Sequence, residues 1–200
     1  MWKRSWLSRE VLFFTCFAAA ASLYAGMLWI RAPGSAVVGA LTAVLGAAGV
    51  TASAFLYLVP ARPAWNSKHT VADFHLTALV LGPLFVAAAG LTHRLLVACV
   101  VSAAAGQLLN QVLKFLWLTR SEEFEQRASA RLLSSDFDKH FLARFALLVL
   151  GGIVLPLVYP GLPALALALA GELLGRYLFF VSVVPKNMAA SFFAPGKAAA

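Results

Sequence analysis

Charge is what this 200-residue chain has least of. Asp, Glu, Lys and Arg make up 12% of it, against roughly 25% in a soluble domain. Cysteine is limited to Cys16 and Cys99. Both lie in apolar stretches and read as small buried residues, which excludes a disulfide framework and a Cys-rich metal site. No two histidines sit deep in facing stretches, so a bis-histidine haem is not expected. P-loop, HExxH and GxSxG signatures are missing. No inverted repeat is evident, which weakens a secondary-transporter reading. A cleavable leader is not expected either, because the first apolar run is too long for one and no small-x-small site follows it.

Long apolar runs are what the chain has instead. Hydrophobic residues reach 62% and mean hydropathy is +0.84. Twenty uncharged residues separate Glu10 from Arg31, and thirty separate Arg31 from Arg62. A helix of about 20 apolar residues crosses ~30 Å of hydrocarbon. No stretch alternates as a barrel strand does, and backbone polar groups must be satisfied within lipid, so the spans are helical. The expected fold is an all-α polytopic membrane bundle forming one domain over 1–200. Six helices are expected, roughly 10–30, 35–59, 71–91, 95–118, 141–158 and 163–184. The fifth ends in VLPLVYPGLP, where proline and glycine force a tight connection.

Alternating spans place the N-terminus, loop 60–70, loop 119–140 and the C-terminus on one side. That side carries Lys3, Arg4, Arg9, Arg62, Lys68, Arg120, Arg127, Arg131, Lys139, Lys186 and Lys197; the other carries Arg31 and Arg94. Eleven cations against two place both termini in the cytoplasm. The net charge of +8 is therefore topological, and no nucleic-acid partner is implied. Loop 119–140 mixes both signs of charge and reads equally as a solvated linker or as a short surface helix on which a partner docks.

Ionisable residues within spans are costly, so each is a functional candidate. Glu10 opens the first span. It reads either as a helix-dipole carboxylate behind a Ser8 cap or as a carboxylate within reach of a quinol hydroxyl. Asp73 and His75 open the third span, and His69 precedes them. A carboxylate and an imidazole at one interface suit the release of protons from a hydroquinone. Alternatively His69 is an exposed loop residue and His75 packs on a neighbouring helix. Glu172 and Arg176 lie four apart in the last span and share a helix face, as a structural pair or as the intramembrane site of a small transporter or channel. Arg176 and Asn66 could also orient a quinone carbonyl or a partner loop, with Trp65 at the interface.

SWLSREVLFF at the first span, PAWNSKHTVADFHLTALVLGPLF around the third and GELLGRYLFFVSVVPKNMA in the last resemble the dimethyl sulfoxide reductase membrane-anchor (DmsC) family. Order and approximate spacing match over most of the chain, with loop 119–140 and the fourth span the weak parts. The resemblance implies an anchor in the bacterial inner membrane. It would bind quinone or menaquinone and exchange electrons with an iron–sulfur subunit, which in turn serves a molybdopterin catalytic subunit. Such anchors hold no haem or cluster themselves. The quinol-site glutamate of the family falls on Glu10. Family members commonly have eight helices, and this chain begins where two would already have passed, along with the quinol-site histidine of the second. Either Met1 is an internal start, the favoured expectation, in which case the bundle is one-sided with an apolar or polar cleft where two helices should pack, or the quinone pocket differs. Similar anchors serve sulfoxide reductases and sulfite dehydrogenases; the basic cytoplasmic side leans toward the latter.

Overall fold

The computed structural model describes residues 5–186; Lys3, Arg4 and Lys197 lie outside them. Among the described residues, six helices are long and apolar enough to cross a membrane, and the chain is a multi-pass membrane protein. They are α1 (Trp6–Trp29), α2 (Ser35–Leu56), α3 (Lys68–Ala88), α4 (Arg94–Arg120), a composite of α6 (Asp138–Val149), a π turn (Leu150–Val154) and α7 (Leu155–Val158), and α8 (Leu162–Val181). An additional short helix, α5 (Phe124–Ser134), occupies loop 119–140. Its Gln126, Ser129 and Ala130 are buried, so this segment is a docked surface helix and not a solvated linker.

Helix ends depart from the sequence expectation by a few residues. Charged and aromatic residues at an interface stay helical while their tips reach water. Thus α1 starts at Trp6 behind Ser5, which leaves Ser8 inside the first turn and Glu10 beyond it. The capping role expected of Ser8 is not realised. Likewise α3 starts at Lys68, which puts His69 in its first turn and His75 two turns in.

The core is built from small side chains. Ala103 and Ala104 of α4, Ala164 and Ala168 of α8 and Val80 and Leu84 of α3 belong to one buried cluster, with the π turn packed between α4 and α8. In lipid, where no hydrophobic drive pulls helices together, small residues allow the close backbone approach that dispersion requires. The π turn serves the same end. A Cβ on Gly151 would collide with the Ala168 backbone, and one on Gly152 would sit 2.7 Å from the Ala104 side chain. Pro83 interrupts α3 and cannot donate to the Leu79 carbonyl one turn back. The Cys99 thiol donates to that carbonyl at 3.9 Å, but neither cysteine is buried as expected: Cys99 is half-buried and Cys16 is exposed on α1, which has no buried residue.

α1 stands at the edge of the bundle. It has no buried residue and packs on α2, with Trp6 stacked on Phe55 at 4.7 Å between ring centroids. Gly34 takes a left-handed φ of 83° to close the short connection between α1 and α2, a conformation open to glycine without strain.

The end of the bundle that carries α5 is stitched by the chain after α8. Val184 N donates to Ser129 Oγ at 3.0 Å and Lys186 N to Ala61 O at 2.9 Å. Trp65 Nε1 donates to Phe179 O at 2.8 Å, and its ring stacks on Phe179. Phe179 O belongs to the last turn of α8, where carbonyls lack an intrahelical donor. Replacing Trp65 by Phe keeps the stacked ring but orphans that carbonyl. The expected cost is about 1–2 kcal/mol, read as a lowered unfolding midpoint in detergent.

Candidate functional site: a polar cluster within the bundle

Among the described residues, ten of the thirteen Lys and Arg occupy the helix ends and connections. The other three, Lys114, Arg144 and Arg176, lie within spans and converge at the α5 end. Helical rise of ~1.5 Å per residue puts Lys114 ~9 Å inside the end of α4, Arg144 ~9 Å inside the start of α6 and Arg176 ~8 Å inside the end of α8. Asp73 enters at a similar depth from α3. Its Oδ1 lies 3.9 Å from Arg144 Nη2, with side chains 13% and 11% exposed, and accepts from Asn110 Nδ2 at 3.2 Å. The Arg144 guanidinium lies over Gly175 of α8, where a Cβ would come within 2.5 Å of it. That close approach accounts for the glycine in GELLGRYLFF.

Glu172 and Arg176 do not close the ion pair expected from their spacing. Arg176 places its guanidinium over the Phe74 ring, 3.7 Å from the centroid. Glu172, 4% exposed, accepts from the Thr77 hydroxyl at 2.8 Å, and Gln107 Nε2 donates to that hydroxyl oxygen at 3.3 Å. Among the described residues, the ion pairs within 4 Å are Arg144–Asp73 and Lys186–Glu123. The two residues share a helix face as expected, but each finds its partner on α3.

Two cavities lie among these groups. The larger, about 50 Å³, is bounded by Asp73, Gln111, Lys114 and Arg144 below and by Ser129 and Leu133 of α5 above. The smaller, about 10 Å³, touches Thr77, Glu172 and Arg176. Asp73, Arg144 and Phe179 line both. Gln111 is 4% exposed, and both polar atoms of its side chain are buried without a protein partner.

The other expected site residues lie elsewhere. Glu10 accepts a short hydrogen bond from Ser53 on α2. His75 Nε2 shares a hydrogen bond with Thr51 Oγ1 at 3.0 Å, and its Nδ1 pairs with Val71 O at 3.0 Å. Residues 51 and 53 are ~200° apart around α2, so Glu10 and His75 lie on opposite sides of that helix. The same angle separates Asp73, which faces α4, from His75, which faces α2. Asn66 is exposed on the connection before α3. Glu10, Asp73, His75, Arg176 and Asn66 therefore do not form a single site; Asp73 and Arg176 belong to the interior cluster, and Glu10 to the outer hairpin. His69 is not the exposed loop residue that its position suggested. Its Nδ1 pairs with Asn110 Oδ1 at 2.8 Å, and its backbone carbonyl accepts from Asn110 Nδ2 at 3.0 Å.

Lys114, Arg144, Gln107, Asn110 and Gln111 were the site residues that sequence reasoning passed over. The signal was available on α4: residues 107, 110, 111 and 114 follow the i, i+3, i+4, i+7 pattern of one helix face. A polar stripe of that kind in an otherwise apolar span points into a protein interior. Among the described residues, no three His, Cys, Asp or Glu side chains gather as metal ligands. No family model, curated protein or solved structure matches the chain.

Proposed function

We propose that this chain is the quinone-reactive membrane anchor of a molybdopterin oxidoreductase in the bacterial inner membrane, passing electrons between membrane quinone and an iron–sulfur subunit. The resemblance of the first, third and last spans to the dimethyl sulfoxide reductase anchors supports the family. The surroundings of Glu10 carry the site. This carboxylate is half-buried on a helix with no buried residue, one turn from the stacked Trp6 and Phe55 rings and fixed by the Ser53 hydroxyl. A lipid-soluble ring could reach it from the bilayer without entering the bundle. The interior cluster suits a quinone less well. Its larger cavity is about 50 Å³, and a cavity of about 150 Å³ is the size that holds benzene.

In this reading quinone supplies the redox chemistry when bound. Glu10 takes or returns the hydroxyl proton and Ser53 holds the carboxylate in place, while Trp6, stacked on Phe55 and with the Arg9 guanidinium 4.4 Å from its centroid, walls the site on one side. The iron–sulfur subunit would meet the basic cytoplasmic end, where α5 supplies a docked platform. A solute-transport role for Glu172 and Arg176 has less support, because the space beside them is about 10 Å³, close to the size of one water.

Glu10→Gln in the assembled complex tests the reading. General acid–base groups contribute typically 10²–10⁴-fold, so quinol-driven reduction of the partner clusters is expected to slow by about 100-fold or more while subunit stoichiometry holds. A rate equal to wild type would remove Glu10 from the chemistry.

A further inference from the structure

Glu172 lies nine residues before the end of α8, ~14 Å inside the helix terminus and so near the middle of a ~30 Å hydrocarbon layer. One carboxylate oxygen accepts from Thr77. The other, Oε1, is buried and has no partner, and neither has Oε1 of Gln107, the residue that donates to the Thr77 hydroxyl. The cluster thus holds two buried oxygen acceptors without a hydrogen-bond partner, one on α8 and one on α4. An ionised, half-satisfied carboxylate at this depth is costly. One added proton supplies the missing donor.

Two adjoining cavities mark out a route for that proton. The cavity at Glu172 shares Asp73, Arg144 and Phe179 with the larger cavity, which extends to Ser129 and Leu133 at the α5 end. Volumes of about 10 and about 50 Å³ hold one and a few waters respectively. The unpartnered amide of Gln111 and the Lys114 ammonium provide the polar contacts that such waters need. Charged groups face this space from each main span packed around it: Asp73 from α3, Lys114 from α4, Arg144 from α6 and Arg176 from α8. These three cations and one acid restrain a bare excess proton, so transfer runs through waters beside Asp73.

We propose that Glu172 is a proton-binding site inside the membrane, loaded from the α5 end through a water chain in these two cavities. In the step, a proton entering from the α5 end is handed along the waters beside Asp73 to Glu172 Oε1, each water giving up one proton as it takes the next, so that the chain is left as water and the carboxyl is neutral; the reverse returns it. Nothing in this inference depends on the quinone reading.

Infrared difference spectroscopy of the full chain in lipid nanodiscs tests it without any quinone. Wild type should show a buried carboxylic C=O band that titrates with bulk pH and is lost in Glu172→Gln, a variant that still accepts from Thr77. The deuterium shift of that band should develop about tenfold more slowly, a change equivalent to ~1.4 kcal/mol, in Gln111→Phe, whose ring fills the larger cavity. Should that variant fail to fold, Gln111→Leu removes the same two water contacts and carries the same expectation. A band that persists in Glu172→Gln, or none in wild type at any pH, overturns the proton site. Exchange as fast as wild type in the folded Gln111 variant overturns the route.

Discussion

Replacing Arg144 by alanine is expected to destabilise the bundle by about 3–5 kcal/mol, the cost of leaving one member of a buried ion pair behind. The 3.9 Å separation from Asp73 is long, but its setting raises what it is worth. Both side chains are about nine-tenths buried, and the hydrogen-bond donor left to Asp73 is Asn110. Removing Arg144 also vacates the space over Gly175, so α6 and α8 lose packing as well as charge. The double variant Asp73→Asn/Arg144→Ala separates the two effects. Most of the charge penalty should disappear in it, and what remains is the cost of lost packing. Unfolding midpoints of the two single variants and the double variant in one detergent give the coupling. Single-variant costs that simply add, within about 0.5 kcal/mol, would show that the two side chains do not depend on each other.

This pair marks the limit of what was legible in the sequence. The six spans follow from runs of uncharged residues, since few other arrangements of such runs satisfy their backbone in lipid. The basic end follows from where the cations fall. The polar stripe of Gln107, Asn110, Gln111 and Lys114 was equally readable, being a property of one helix. The partnership of Asp73 with Arg144 was not, because it joins residues far apart in the chain and depends on which spans become neighbours. Glu172 and Arg176 show the opposite error. Their spacing suggested a local pair, but α3 offers Thr77 to one and the Phe74 ring to the other. Tertiary contacts across a helix interface outcompeted a weak contact along one helix, which contributes only a few tenths of a kcal/mol.

The grouping of Glu10 with Asp73 and His75 failed for a related reason. All three sit near the same end of the bundle, and sequence position reports depth well. It reports direction around a helix only when the helix axis has a known neighbour on each side. With α1 and α3 flanking α2, Ser53 and Thr51 point to different partners, and the carboxylate and imidazole part company. Glu10 is left open to the bilayer while Asp73 is turned inward. The result is two carboxylates at similar depth in different settings, Glu10 half-buried on the outer hairpin and Asp73 inside the bundle.

The largest effect of a single methyl group is expected at Gly151. Ordinarily glycine to alanine within a helix is favourable by roughly 0.5–1 kcal/mol, because glycine loses more backbone freedom on folding. Gly26 on α1 should follow that rule, having no atom within 4 Å of a prospective Cβ. Gly151 should reverse it. It sits in the π turn, and its Cβ would meet the backbone of α8 at Ala168, with the Leu167 carbonyl carbon at 2.8 Å. Backbone cannot rotate aside as a side chain can, so relief requires the fifth and last spans to move apart. That movement loosens the Ala164–Ala168 core and carries Gly175 away from Arg144. Gly151→Ala is therefore expected to cost about 3 kcal/mol or more, at or above the upper end for overpacked cores, whereas Gly26→Ala leaves stability equal or raised. Paired unfolding midpoints in the same detergent make the comparison. Equal behaviour of the two variants would mean that the π turn can shift without strain, and that the close approach at Ala168 does not hold the cluster around Glu172 together.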